Sequence, residues 1–110
     1  AEAYLRQNMP DKAADAVNEV RRRAKVADVS DDEMTMDYLL DERIRELYGE
    51  ESRRFTLVRT GKLIERVKKY NPEARDLIQD FHVLWPIPQA VRDANTGEFP
   101  QNPGYEGYEG

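Results

Sequence analysis

The chain has 110 residues, 35% of them charged and 39% hydrophobic, with a formal charge of −5 and no cysteine. That length fits one ordinary domain with a modest core, and the absence of cysteine excludes a disulfide framework and a thiolate metal site. Apolar residues come in short clusters, far below the ~20 needed to span a bilayer as a helix, and an acidic balance argues against nucleic acid, whose usual footprint is a basic stripe.

Residues 1–9 read as the end of a helix, with neither an initiator Met, a basic n-region nor an apolar h-region, so the chain is expected to be a segment of a longer protein. Asn8-Met9-Pro10-Asp11 is a turn that places Pro10 at the start of the next helix. Ala13, Val17, Val20, Ala24 and Ala27 then recur at helical spacing to about residue 26. A helix, a short turn and a second helix with small alanines at the crossing suit a tetratricopeptide-like hairpin, although one unit shows no internal repeat. Arg21, Arg22, Arg23 and Lys25 form the one basic cluster, placed where the negative end of the helix dipole favours it.

The acidic stretch 28–35 offers two N-caps. Ser30 with Glu33 spells a capping box, and Thr35 is better placed to start the long helix. Met36, Leu40, Ile44 and Leu47 form its apolar stripe, with Tyr38 and Tyr48 as core rims, and Gly49 marks its end or a close approach. On the same helix Glu42, Glu46 and Glu50 recur every four residues. Like charges at that spacing repel by roughly 0.2–0.5 kcal/mol per pair, so a cationic partner is expected: at least one of the three should be buried against Arg43, Arg53, Arg54 or Arg59. Phe55 and Val58 lie on a further helix stopped by Gly61, and Leu63, Val67 and Tyr70 on a short one ended by Asn71-Pro72.

From 71 onward the texture changes, with a polar turn at 71–76 and charge that turns acidic: two basic and seven acidic side chains follow in 71–110. His82-Val83-Leu84-Trp85-Pro86-Ile87-Pro88 excludes a regular helix and a central strand, and should run extended. Gln89 to Asn95 can form one helical turn, and 104–110 reads as a frayed end. Trp85 and Ile87 should pack on helices. The fold class is thus all-α: tetratricopeptide-like helical hairpins over 1–70 followed by a long irregular C-terminal segment over 71–110.

No catalytic constellation emerges. Carboxylates at i and i+4 on one helix point the same way and cannot flank a sugar as glycosidase acids do, and His82, the only histidine, is not in a Glu-x-x-His spacing. No metal ligand, cofactor or catalytic residue is assigned. Trp85 and Tyr105 have the chemistry of sugar-stacking aromatics, but beside Pro-Ile-Pro they read better as anchors of the extended segment, and His82 as a polar edge residue.

Three motifs in order, namely Asp41-Glu42-Arg43 through Arg54 with Phe55-x-Leu57-x-Arg59-x-Gly61-Lys62, then Leu84-x-Pro86-Ile87-Pro88-Gln89, then Gln101-Asn102-Pro103-Gly104-Tyr105, resemble the C-terminal region of the SusD/RagB family of outer-membrane nutrient-binding lipoproteins. The resemblance spans about residues 10 to 105. Arg54 and Thr56 depart from it, standing where the family often has an aromatic and an Asp. The resemblance implies a non-enzymatic, surface-exposed lipoprotein of the outer membrane that captures oligosaccharides or similar nutrients for a SusC-like TonB-dependent transporter. It also implies that residues 1–110 are the C-terminal part of such a domain, with the upstream part, including the N-terminal lipid anchor that alone would meet the membrane, missing from this chain. The family's ligand surface is built largely from upstream loops, so no ligand-binding residue is named. The alternative from another class is a helical-hairpin protein-interaction module with an acidic tail.

Overall fold

A computed structural model describes residues 1–108, whose regular structure is entirely helical. It divides into two compact units, Ala1–Ser52 and Arg53–Gly110. No helix among the described residues is long and apolar enough to cross a membrane.

In the first unit, α1 (Glu2–Arg6) is followed by a turn in which Asn8 takes a left-handed φ of 58°. Pro10 then opens α2 (Pro10–Arg23) at a position where its missing N–H leaves no helical bond unmade. The α2 face carrying Ala13, Ala14 and Val17 packs with Val29, Met34 and Leu39 into the core, and Leu5, Met36 and Tyr38 lie against it. α2 ends earlier than its apolar spacing suggests, because Lys25 turns to φ 58°. Ala24 and Ala27 are therefore exposed, outside the crossing expected of them.

The stretch leading to α3 (Met36–Glu46) is held by side chains. Asn18, itself buried, donates to Val29 O at 3.0 Å and accepts from Val29 N–H at 2.8 Å. Losing either bond would strand a buried backbone group at a cost of about 1–3 kcal/mol. Thr35 caps α3 as expected, its Oγ1 accepting from Tyr38 N–H at 3.1 Å. The alternative cap is used too, but for a turn: Glu33 accepts from the Ser30 hydroxyl at 2.8 Å and from the Ser30 N–H at 3.3 Å. Along α3 the buried pair is Leu39 and Leu40, whereas Ile44 sits at the exposed edge of the expected stripe. The helix stops at Glu46, with Leu47 N–H donating to Arg43 O and Gly49 at φ 82°. Glu50 consequently lies in the turn beyond the helix, exposed, and the expected line of three carboxylates is a line of two.

In the second unit, α4 (Arg53–Arg59) buries Thr56 and Leu57 and leaves Phe55 64% exposed, so the buried side of this helix is not the one on which Phe55 was expected. Gly61, at φ 72°, separates it from α5 (Leu63–Tyr70), which buries Leu63 and Arg66. Asn71 ends α5 and folds its side chain forward to accept from the Glu73 and Ala74 N–H groups, both at 3.1 Å. A 3-10 turn, Asp80–Val83, was not expected; it is capped because His82 Nδ1 accepts from Gln79 N–H at 2.8 Å. From Leu84 to Pro88 the chain is extended, and α6 (Gln89–Asp93) then forms the single expected turn. Residues 104–108 are built from consecutive turns, with Tyr105 N–H on Asn102 O and Tyr108 N–H on Tyr105 O, in place of the frayed end expected there. Residues 109 and 110 lie outside the described residues.

The Ser30 contacts hold the Glu33 carboxyl below its ordinary range, first through the hydroxyl and second through the N–H. A depressed carboxyl contributes stability above its unfolded pKa and loses it as pH falls through the folded one. Titration of Glu33 followed by NMR should give a pKa below that of a free glutamate, and Ser30→Ala should move it upward. Identical titration in both proteins would show that the turn does not form.

Candidate functional site

Two clusters of functional side chains stand out, one in each unit. In the first, Glu42 is the hub. Its Oε2 accepts from Arg21 Nη1 of α2 at 2.9 Å and from Arg45 Nη1 at 2.7 Å, with 13% of its side chain exposed. Arg21 also donates from Nε to Ala27 O at 2.7 Å and lies over the Tyr38 ring. Arg23 pairs with Glu46, and Arg43 pairs with Glu51, whose side chain is the most buried of these carboxylates at 9%. The expectation for this helix is met in part: Glu42 is largely buried against arginine, but against Arg21 and Arg45, not Arg43, Arg53, Arg54 or Arg59. The partners are different, because the unit folds α2 back on α3 and so brings up the Arg21 to Arg23 cluster that charge placement alone assigned to the helix dipole. Glu51 was missed, since it lies past the Gly49 turn and off the helical line.

This cluster is a network of ion pairs. Its carboxylates are taken up by guanidinium groups, and no group of three potential metal ligands occurs among the described residues.

The second cluster is a clasp around the extended segment. Prolines at 86 and 88 have no N–H, and no strand occurs among the described residues to pair with the segment, so its remaining backbone groups need side-chain partners. Gln101 supplies both halves for Ile87: its Oε1 accepts from Ile87 N–H at 2.7 Å and its Nε2 donates to Ile87 O at 2.8 Å. Asn102 Nδ2 donates to Trp85 O at 2.8 Å, and the Tyr105 hydroxyl donates to Leu84 O at 3.1 Å. From α4, Arg54 Nη2 donates to His82 O at 2.6 Å and reaches Leu84 O at 3.3 Å, while its guanidinium lies 4.4 Å from the centre of the Trp85 ring. Tyr105 meets Phe81 edge-on at 4.9 Å between centroids, an arrangement worth about 0.5–1.5 kcal/mol beyond burial.

The two C-terminal sequence motifs are therefore two halves of one device: Leu84-Trp85-Pro86-Ile87 is what Gln101-Asn102-Pro103-Gly104-Tyr105 holds. Arg54, one of the two residues set apart from the resemblance, fastens the same segment to α4. The expected anchoring of Trp85 is only partly met. The indole touches helix α4 through Arg54 but remains 62% exposed, so the tie runs through backbone hydrogen bonds and not through burial of the ring. His82 lies at the partly buried edge of the clasp, where its ring caps the turn and its carbonyl receives Arg54. Tyr48 is 83% exposed and rims no core.

Gly104 is required by this geometry. It takes φ 87°, and a Cβ built there would stand 2.2 Å from Phe81 Cγ. Gly104→Ala should force Phe81 off Tyr105 and lower the urea midpoint of the clasped unit by the equivalent of about 1–3 kcal/mol. Because Trp85 is the sole tryptophan, its emission should change in the same transition. An unaltered midpoint would contradict the close approach.

No curated protein and no solved structure matches the chain. The model of the SusD family matches residues 1–105, nearly the whole sequence and slightly more than the motifs alone had indicated. That family is helical in the tetratricopeptide manner, and its members are nutrient- and glycan-binding proteins of the outer membrane, not enzymes. From its helical units, its clasped motifs and this match, the chain belongs to the SusD family.

Proposed function

We propose that residues 1–110 form the C-terminal scaffold of a surface-exposed outer-membrane lipoprotein that binds oligosaccharides or similar nutrients and hands them to a SusC-like TonB-dependent transporter. In this reading the sugar site and the lipid anchor belong to sequence upstream of the chain. The helices over 1–70 and the segment over 71–110 hold that site in place.

One observation carries the scaffold role. A sugar site combines an aromatic platform with side chains free to bond hydroxyl groups, and around Trp85 those side chains are already engaged. Arg54, Asn102 and Tyr105 each donate to a backbone carbonyl of residues 82–85, and Gln101 uses both ends of its amide on Ile87. A hydroxyl that needs these donors would have to take them from the clasp.

The chain alone should accordingly bind a panel of oligosaccharides no more tightly than roughly millimolar, whereas the longer lipoprotein containing it should bind measurably. Calorimetric titration of both proteins against the same panel distinguishes them. Micromolar binding by the 110-residue chain that disappears in Trp85→Ala or Tyr105→Phe would overturn the scaffold role and place a sugar site on the clasp.

A further inference from the structure

Residues 53–75 hold eight basic and two acidic side chains in a chain whose net charge is −5. Part of that charge is committed: Lys62 pairs with Glu65 at 2.9 Å, and Arg66 is buried with its guanidinium over Tyr70. Lys68 and Arg75 form no ion pair among the described residues. With Lys69 and Ile78 they line an open hollow of about 610 Å3, which has one acidic residue, Asp76, in its lining. Ile78 also lines a second hollow, shared with Leu77, Arg54 and His82. The two hollows share Ile78, and the second is lined by Leu77, 72% exposed, and by Arg54, whose guanidinium stacks on the 62% exposed Trp85 outside the hollow.

We propose that this surface is a docking site for an acidic protein segment bearing apolar side chains. Lys68 and Arg75 would take its carboxylates, and Leu77 with Trp85 its aliphatic or aromatic side chains. Charge complementarity selects the sign of the partner. The apolar half selects its class: an exposed tryptophan stacked on an arginine is the composition of an interface anchor, exposed Leu77 adds apolar area, and the clamped backbone together with the Arg54 stacking leaves the Trp85 indole less freedom to lose on binding. A glycan would have to compete with backbone carbonyls for the donors around Trp85, since Arg54, Asn102 and Tyr105 each donate to one. A nucleic acid is disfavoured because residues 76–110 carry six formal negative charges and one positive, next in sequence to the basic stretch. The proposal is independent of where the sugar site lies.

The test uses the 110-residue chain and a fluorescein-labelled peptide alternating glutamate and leucine, with a lysine–leucine peptide and oligogalacturonate as comparators. Anisotropy and Trp85 emission are followed together. The acidic peptide should bind saturably with a change in Trp85 emission. Its affinity should fall by about tenfold or more in Lys68→Glu/Arg75→Glu, and also as salt rises above the physiological range. Leu77→Ser should weaken binding while leaving its salt dependence in place. Should the charge-reversed protein fold poorly by circular dichroism, Lys68→Gln/Arg75→Gln replaces it with the same expected direction. Absence of binding by the acidic peptide, equal binding of the lysine–leucine peptide, affinity unchanged in the double variant, or tighter binding of oligogalacturonate would each overturn the proposal.

Discussion

Extended backbone without a sheet is the constraint on which this structure depends. A strand in a sheet pairs its N–H and C=O groups with a neighbour, and a helix pairs them with itself. The stretches around Val29 and from Leu84 to Pro88 do neither, yet they lie on folded units. In both places a carboxamide side chain does what a neighbouring strand would do: Asn18 takes both polar groups of Val29, and Gln101 takes both of Ile87. Asparagine and glutamine suit this because one planar group carries a donor and an acceptor side by side. Once these bonds exist, Pro86 and Pro88 help, since each fixes φ and removes an N–H that would otherwise need a partner.

Arginine plays the complementary part, and the two units use it differently. In the first, guanidinium groups answer carboxylates: Arg21 and Arg45 converge on Glu42, and Arg43 on Glu51. Exposed pairs such as Arg22 with Asp28 contribute little, being screened by solvent, so the partly buried Glu42 and Glu51 matter more, chiefly because removing one partner leaves the other desolvated. In the second unit Arg54 answers no carboxylate among the described residues. It binds two carbonyl oxygens and stacks on an indole, uses for which a planar, permanently charged fork is suited and a lysine is not.

Much of the fold was legible in local chemistry. Pro10 at a helix start, Thr35 as a cap, Asn71-Pro72 as a stop and the prolines at 86 and 88 all act within one turn of themselves, so their effect needs no knowledge of the tertiary structure. What could not be read depends on which surfaces meet. The partner of Glu42 comes from another helix, 21 residues away, and arginine offers no periodic signal to say so. Phe55 and Ile44 fitted an apolar pattern yet face outward, while Thr56 and Arg66 are buried. The motifs at 84–89 and 101–105 were recognised separately, but only coordinates show that one is the other's partner. The short 3-10 turn escaped because its cap, His82 on Gln79 N–H, is a side-chain bond that leaves no hydrophobic period.

If carboxamide clasps replace a strand partner, the amides they bind must be protected from solvent. Hydrogen exchange read by NMR at Ile87 tests this most directly, because Pro86 and Pro88 on either side contribute no amide signal. The Ile87 N–H should exchange far more slowly than an unstructured amide in the parent protein, and Gln101→Ala should abolish that protection while the amides within α5 keep theirs. Free exchange at Ile87 in the parent, or protection that survives the loss of Gln101, would contradict the account.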